Sequence, residues 1–208
     1  MTAPPTMTAP KTMRARFLRR PSGVGDWIAD GLRALGVLGV GAAAVWGSAT
    51  DAGILAFILP ALMLPRFVGA RAGFDIVFSV TVLVAAWSNV ADLYRTFIGW
   101  DTVVHLVCTG VLAPMAYLLL ARLRIVPAPG DEAFLRRTAI VHSALIGLAV
   151  SALWELVEWV GFAYVTEDIY TTYDDTIGDM AAGGLGALLV GIVFAVRPFA
   201  FERYPSSA

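Results

Sequence analysis

Long apolar runs alternate with short polar connections along the chain, and six of the runs are long: residues 29–47, 52–68, 74–93, 102–121, 138–164 and 175–196. A helix rises about 1.5 Å per residue, so about 20 residues cross a hydrocarbon core roughly 30 Å thick. Each run is therefore predicted to be a membrane-spanning helix. The second is the weakest, because Pro60 and Pro65 interrupt it and the carbonyls they free need other partners. The runs are rich in Gly, Ala and Leu without strand-like alternation, which argues for helices over a β-barrel. Between the fourth and fifth runs, residues 124–137 hold Pro127, Pro129 and Gly130 and are expected to form a mobile loop.

Composition points the same way. Of 208 residues only 15% are charged, against about 25% in a soluble domain. The distribution of charge then orients the chain. Lys11, Arg14, Arg16, Arg19 and Arg20 precede the first run, and Arg66 and Arg71 flank the second connection. Arg122, Arg124, Arg136 and Arg137 flank or occupy the fourth, and Arg197 and Arg203 follow the last run. With six spans these residues share one side, and only Arg95 falls on the other. Basic connections stay in the cytoplasm. The expected fold is an all-α integral membrane protein, a six-transmembrane-helix bundle with both termini cytoplasmic. Residues 1–26 would be a disordered basic arm touching anionic lipid, 27–196 the polytopic helical domain, and 197–208 a cytoplasmic tail. The first run is expected to be a retained helix and not a cleaved signal peptide, since the basic region before it is unusually long. Arg33 is expected to snorkel to the same interface, and Asp75 to pair there with Arg71. Cys108 is the only cysteine, which excludes an intrachain disulfide and suits a small packing residue.

Polar residues gather at the opposite end. Asp101 and His105 open the fourth run, while Glu155 and Glu158 lie towards the close of the fifth. Asp174, Asp175 and Asp179 open the sixth, and Asn89 and Asp92 close the third. Spacings of three or four put each pair on one helical face. Glu155 sits on the order of 13 Å below Tyr164 at helical rise, the deepest acid of the set. An ionisable group at mid-membrane costs roughly 2.5–3.5 kcal/mol on insertion scales, so a convergence of six calls for a polar site.

Simpler roles cover some members. Asp101 and Asp174 suit helix N-caps, His105 a buried histidine bonded to a carbonyl or to Asp101, and Glu158 a side chain reaching water. Glu167 and Asp168 suit solvated loop acids. Glu155 and Asp179 have no comparable explanation. Three chemistries fit the set. A divalent metal is one, with Zn, Mn or Fe suited to Asp101, His105, Glu155, Glu158, Asp175 and Asp179 as ligands. Proton exchange is the second, with Glu155, Glu158 and Asp175 as the catalytic carboxylates. The third is a cationic ligand or polar lipid head group. Ser151, Thr176 and Tyr164 are nucleophile candidates by position only. Gly183, Gly184, Gly186 and Ala187 read as a helix-packing face and not a phosphate loop. Trp46, Trp100, Trp159 and Tyr164 fit an outer aromatic belt, and His142 lies far from the set in a structural or interfacial place.

Three stretches carry a resemblance. They are Trp100 to His105 with Gly110, Ser151 to Trp159, and Asp175 to Met180 followed by Gly186, Ala187 and Leu188. Together they resemble the YjdF-like family of bacterial inner-membrane proteins over roughly residues 30–196. A looser likeness to VanZ-like proteins lies in the order Asp-x-x-x-His, Glu-x-x-polar, Asp…Gly-Ala. The resemblance implies a small multi-pass protein of the bacterial cytoplasmic membrane and carries over Asp101, His105, Glu155, Glu158, Asp175 and Asp179. The chain departs from it around residues 87–97, where relatives often carry an extra histidine and a longer loop. The function expected is a metal-dependent hydrolase or transferase on an envelope lipid. The alternatives are a proton- or cation-coupled transporter, against which stands the lack of an internal repeat, and a non-catalytic accessory protein binding lipid or glycopeptide. The bilayer, an envelope lipid or a small-molecule ligand would be the partners, with no nucleic acid.

Overall fold

The computed structural model describes residues 12–166, 169, 171–197 and 199–200. Regular structure among them is helical, apart from one isolated bridge between Ala70 and Ala200. A short α1 (Met13–Phe17) precedes α2 (Val24–Trp46); α3 (Ala49–Phe57) and α4 (Leu59–Val68) follow almost without a break. Then come α5 (Ala72–Val90), the single turn α6 (Leu93–Thr96), α7 (Trp100–Arg122), α8 (Arg136–Tyr164) and α9 (Tyr173–Val196). Six segments are long and apolar enough to cross a membrane, with α3 and α4 together making one of them. Their bounds fall within a few residues of the apolar runs. Leu145, Leu153, Leu156, Trp159, Leu185 and Ile192 are among the large apolar side chains left exposed, as a surface facing lipid requires.

The weak second span shows how its prolines are accommodated. Ser48 and Asp51 cap α3 reciprocally, each side chain taking the other's backbone N–H at 2.9–3.0 Å. The helix then restarts after Ile58, with Pro60 in the first turn of α4, where its missing N–H has no helical partner to lose. Pro65 lies inside α4 and is fully buried.

Helix α7 joins the two halves of the bundle. It packs on α4 and α5 on one side and on α8 and α9 on the other, and α9 lies closely against both α7 and α8. Small residues make that closeness possible. A Cβ placed on Gly186 would sit 1.8 Å from the Leu106 carbonyl oxygen, and one on Gly147 would sit 2.1 Å from the Ala187 Cβ. Neither position has room for a side chain. The buried face of α8 repeats every fourth residue, through Ala139, Ser143, Gly147, Ser151 and Glu155. It is a narrow stripe ending in an acid.

The end of the bundle holding the start of α2, the end of α4 and the start of α5 differs from expectation in three ways. Arg33 does not snorkel: it is 6% exposed and bridges three helices. Its Nη2 donates to both oxygens of Asp75 at 2.7 Å, its Nη1 to Asp30 at 3.0 Å, and its Nε to the Leu62 carbonyl at 2.9 Å. Asp75 therefore pairs with Arg33 and not with Arg71. A planar guanidinium can satisfy a buried carboxylate and two further acceptors at once, which an interfacial contact could not match. The third difference concerns the arm. From Thr12 onward its described part is ordered: α1 packs on α4, Phe17 stacks on Phe67 at 4.4 Å between centroids, and Arg19 grips Asp26 with bonds of 2.8 and 2.9 Å. Residues 1–11 of the expected arm lie outside the described residues, as do 198 and 201–208 of the tail. The loop after α7 is also anchored, since Tyr117 Oη donates to the Pro127 carbonyl at 2.8 Å and Ala128 is buried.

Candidate functional site

Three helix ends meet at the other end of α7. Its first turn carries Asp101, and His105 follows one turn deeper, 4% exposed. Towards its C-terminal end, α8 turns Glu155 inward, 7% exposed, with Glu158 half-buried beside it. Asp179 sits two turns into α9 and is 1% exposed, while Asp175 one turn earlier is half-buried. The glycines just beyond Asp179 draw α9 onto its neighbours. A Cβ on Gly183 would lie 2.5 Å from Ser151 Oγ and 2.9 Å from Thr109 Oγ1. That packing fixes the depth of Asp179.

The donors fall into two triads that share His105. In one, Asp101, His105 and Asp179 each offer an atom within 4.8 Å of the others; in the other, His105, Glu155 and Glu158 do so. The imidazole faces a carboxylate with each nitrogen. Nε2 lies 3.4 Å from Asp101 Oδ1, and Nδ1 lies 3.7 Å from Glu155 Oε1. Both separations exceed the usual N–H···O range of about 2.7–3.2 Å. Oε1 of Glu155 and Oδ2 of Asp179 are buried without any hydrogen-bond partner.

Asp101, His105, Glu155, Glu158 and Asp179 come together, whereas Asp175 lies beside them and completes neither triad among the described residues. Asp101 and Asp174 are not N-caps. Gly99, in a left-handed conformation (φ 78°), occupies the cap of α7, and Thr172 caps α9 by accepting from the Asp175 N–H at 3.4 Å. Asp101 is thereby free to face His105 along its own helix. Asn89 and Asp92 stay outside the set, Asp92 pairing with Arg95 at the surface at 3.6 Å. Of the three nucleophile candidates, Ser151 Oγ donates to the Asp179 carbonyl at 3.3 Å, Tyr164 is 77% exposed, and Thr176 lies against Glu155 with its hydroxyl bonded to that carboxylate. Glu167 and Asp168 lie outside the described residues. His142 is remote, bonding the Thr138 carbonyl through Nδ1 at 2.8 Å and meeting the Tyr117 ring. One contact was missed: Trp154 Nε1 donates to Glu158 Oε1 at 2.8 Å. Its signal was present, as the two residues are four apart on one helix face.

A family model described as "Predicted membrane protein (DUF2238)" matches residues 31–198. The chain belongs to that family. The matched span of this DUF2238 protein contains all three polar stretches and hence both triads, and the YjdF-like resemblance refers to this same family. Comparison with curated proteins and with solved structures returns no match.

Proposed function

We propose that the cluster binds a divalent cation, Zn, Mn or Fe, between α7, α8 and α9, and that it serves hydrolysis or group transfer on an envelope lipid at the extracytoplasmic face of the bacterial cytoplasmic membrane. The observation that carries this reading is the pair of buried carboxylate oxygens without partners, one on Glu155 and one on Asp179, on either side of a shared histidine. An uncompensated buried ion costs several kcal/mol, and one divalent cation offsets that for several carboxylates together. Imidazole with a few carboxylates suits Zn, Mn or Fe better than calcium, which takes six to eight oxygens. When bound, such an ion supplies Lewis-acid polarisation of a phosphoryl or carbonyl oxygen.

The chain's own residues supply the rest. Glu158, held by the Trp154 indole, and Asp175, half-buried in the first turn of α9, are the carboxylates available to move a proton to or from the reacting group. An apolar pocket of about 250 Å³, lined by Leu93, Phe97, Ile98, Trp100 and Val103, opens on the same first turn of α7 that carries Asp101. It suits the apolar part of an amphiphile whose head group reaches the acids. The outward orientation is supported by the arginines at the other end of the bundle. Transport has less support, because Asp26, Asp30 and Asp75 at that end are each engaged by arginine.

The test is metal content after treatment of membrane vesicles with an impermeant chelator. Wild-type protein purified from untreated vesicles should carry about one equivalent that His105→Ala lacks. Chelator should strip it from right-side-out vesicles and spare it in inverted ones. Metal content no higher than in His105→Ala would sink the metal reading, and loss confined to inverted vesicles would reverse the orientation.

A further inference from the structure

The two unpartnered oxygens have different neighbours. Glu155 Oε1 faces His105 Nδ1 at 3.7 Å, an atom able to carry a proton. Asp179 Oδ2 is buried without a hydrogen-bond partner, and Asp179 belongs to the triad with Asp101, whose Oδ1 lies 3.4 Å from His105 Nε2. A neutral imidazole has one N–H and one lone pair, on different nitrogens. It can therefore hold one ion on one side while donating to one carboxylate on the other, as metal-binding histidines commonly do.

One of the two assignments serves both oxygens. With the ion on Nδ1, the Nε2 proton would serve Asp101, and Asp179 Oδ2 would be left with neither donor nor cation. With the ion on Nε2, Asp179 gains the cation and Glu155 gains the Nδ1 proton. Distance favours the same side. Two donors about 2.0–2.1 Å from one tetrahedral ion lie about 3.3–3.4 Å apart, and Asp101 Oδ1 is 3.4 Å from Nε2. On the other side, Glu158 Oε1 already accepts the Trp154 indole proton at 2.8 Å. Resting on the metal reading above, we propose that the ion is held by His105 Nε2, Asp101 and Asp179. Glu155 is then a positioning residue, which takes the Nδ1 proton and sets the tautomer and orientation of the ring. Three protein ligands leave a fourth tetrahedral position for water or a head-group oxygen.

The experiment is NMR on the full chain in nanodiscs, with isotope-labelled histidine and NMR-active cadmium. The chain has two histidines, and His142→Gln assigns the signals of His105. Coupling of cadmium to Nε2, with Nδ1 protonated, is the expected result. Coupling to Nδ1 would overturn the assignment and leave the metal reading standing; no cadmium bound at all would remove both. Affinities add a second readout. Glu155→Gln keeps an acceptor for Nδ1–H and should retain the Nε2 coupling with less than about tenfold loss of affinity, whereas Glu155→Leu should lose about 10–100-fold. If Glu155→Gln abolishes binding as fully as Asp179→Asn does, Glu155 is a ligand and the proposal fails.

Discussion

The two ends of α7 lie on the order of 30 Å apart at helical rise, and both are crowded with charge buried among helices. At the basic end three acids on α2 and α5 each have a guanidinium. Asp26 meets Arg19 at 2.8 Å, Asp75 meets Arg33 at 2.7 Å, and Asp30 meets both Arg33 and Arg66. At the acidic end neither triad contains an arginine or lysine, and two buried carboxylate oxygens have no partner. The bundle thus has a closed ion-pair network on α2, α4 and α5 at one end and an open donor set at the other. A closed network has its counter-charges within the chain and serves assembly. An open one is balanced by protons, by the charge of His105 or by a cation from outside, and that difference is what the proposed ligand site rests on.

The largest effect should come from opening the closed end. Asp75→Ala leaves Arg33 buried with its main partner gone, and should cost about 3–5 kcal/mol in unfolding free energy measured in detergent or bicelles. A change below about 1 kcal/mol, the scale of an exposed pair, would show that the network behaves like a surface one. The next effect concerns the open end and depends on ions. At a hundredfold excess of divalent metal over its dissociation constant, wild type should gain about 2.7 kcal/mol over the chelated protein. Asp179→Asn should gain almost nothing, and without metal should be at least as stable as wild type. Equal gains in the two proteins would place the ion elsewhere. The smallest effect tests the packing that brings α9 to the site. Gly186→Ala should cost about 1–3 kcal/mol by overpacking and lower metal occupancy with it. Gly41→Ala, with nothing within 4 Å of the added Cβ, is the control and should be neutral or slightly stabilising. Gly186→Ala as mild as Gly41→Ala would mean that α7 and α9 need not touch.

The spans and the acidic convergence were legible because apolar length and helical spacing are local properties. Asp101 with His105, and Glu155 with Glu158, each share one helix face, and the alternating direction of successive spans brings those faces to one end. Partners distant in sequence were not legible in the same way. Arg33 and Asp75 are 42 residues apart, so the sequence near Arg33 offers Asp30 but not its main counter-charge, and snorkelling was the natural expectation for an arginine close to a helix start. The caps failed for a related reason. Asp101 has a side chain suited to an N-cap, but Gly99 takes the left-handed backbone that begins α7, which places Asp101 inside the first turn. The division of donors between the two imidazole nitrogens depends on how three helices are rotated about their axes, which spacing within one helix does not specify.

The Gly186 contact also bears on which ions would fit. Asp101 and His105 project from α7 and Asp179 from α9, and at Gly186 those two helices meet backbone to backbone, with the Leu106 carbonyl 1.8 Å from where a Cβ would be. Side chains between helices yield by changing rotamer, but touching main chains have no such slack. The spacing of the helices that carry the donors is then set like a gauge, with only the donor side chains left to adjust. Zinc, with bonds of about 2.0–2.2 Å, is within its range. Calcium, with bonds of about 2.3–2.6 Å to more numerous oxygens, would be less well served by three donors on so close a helix pair.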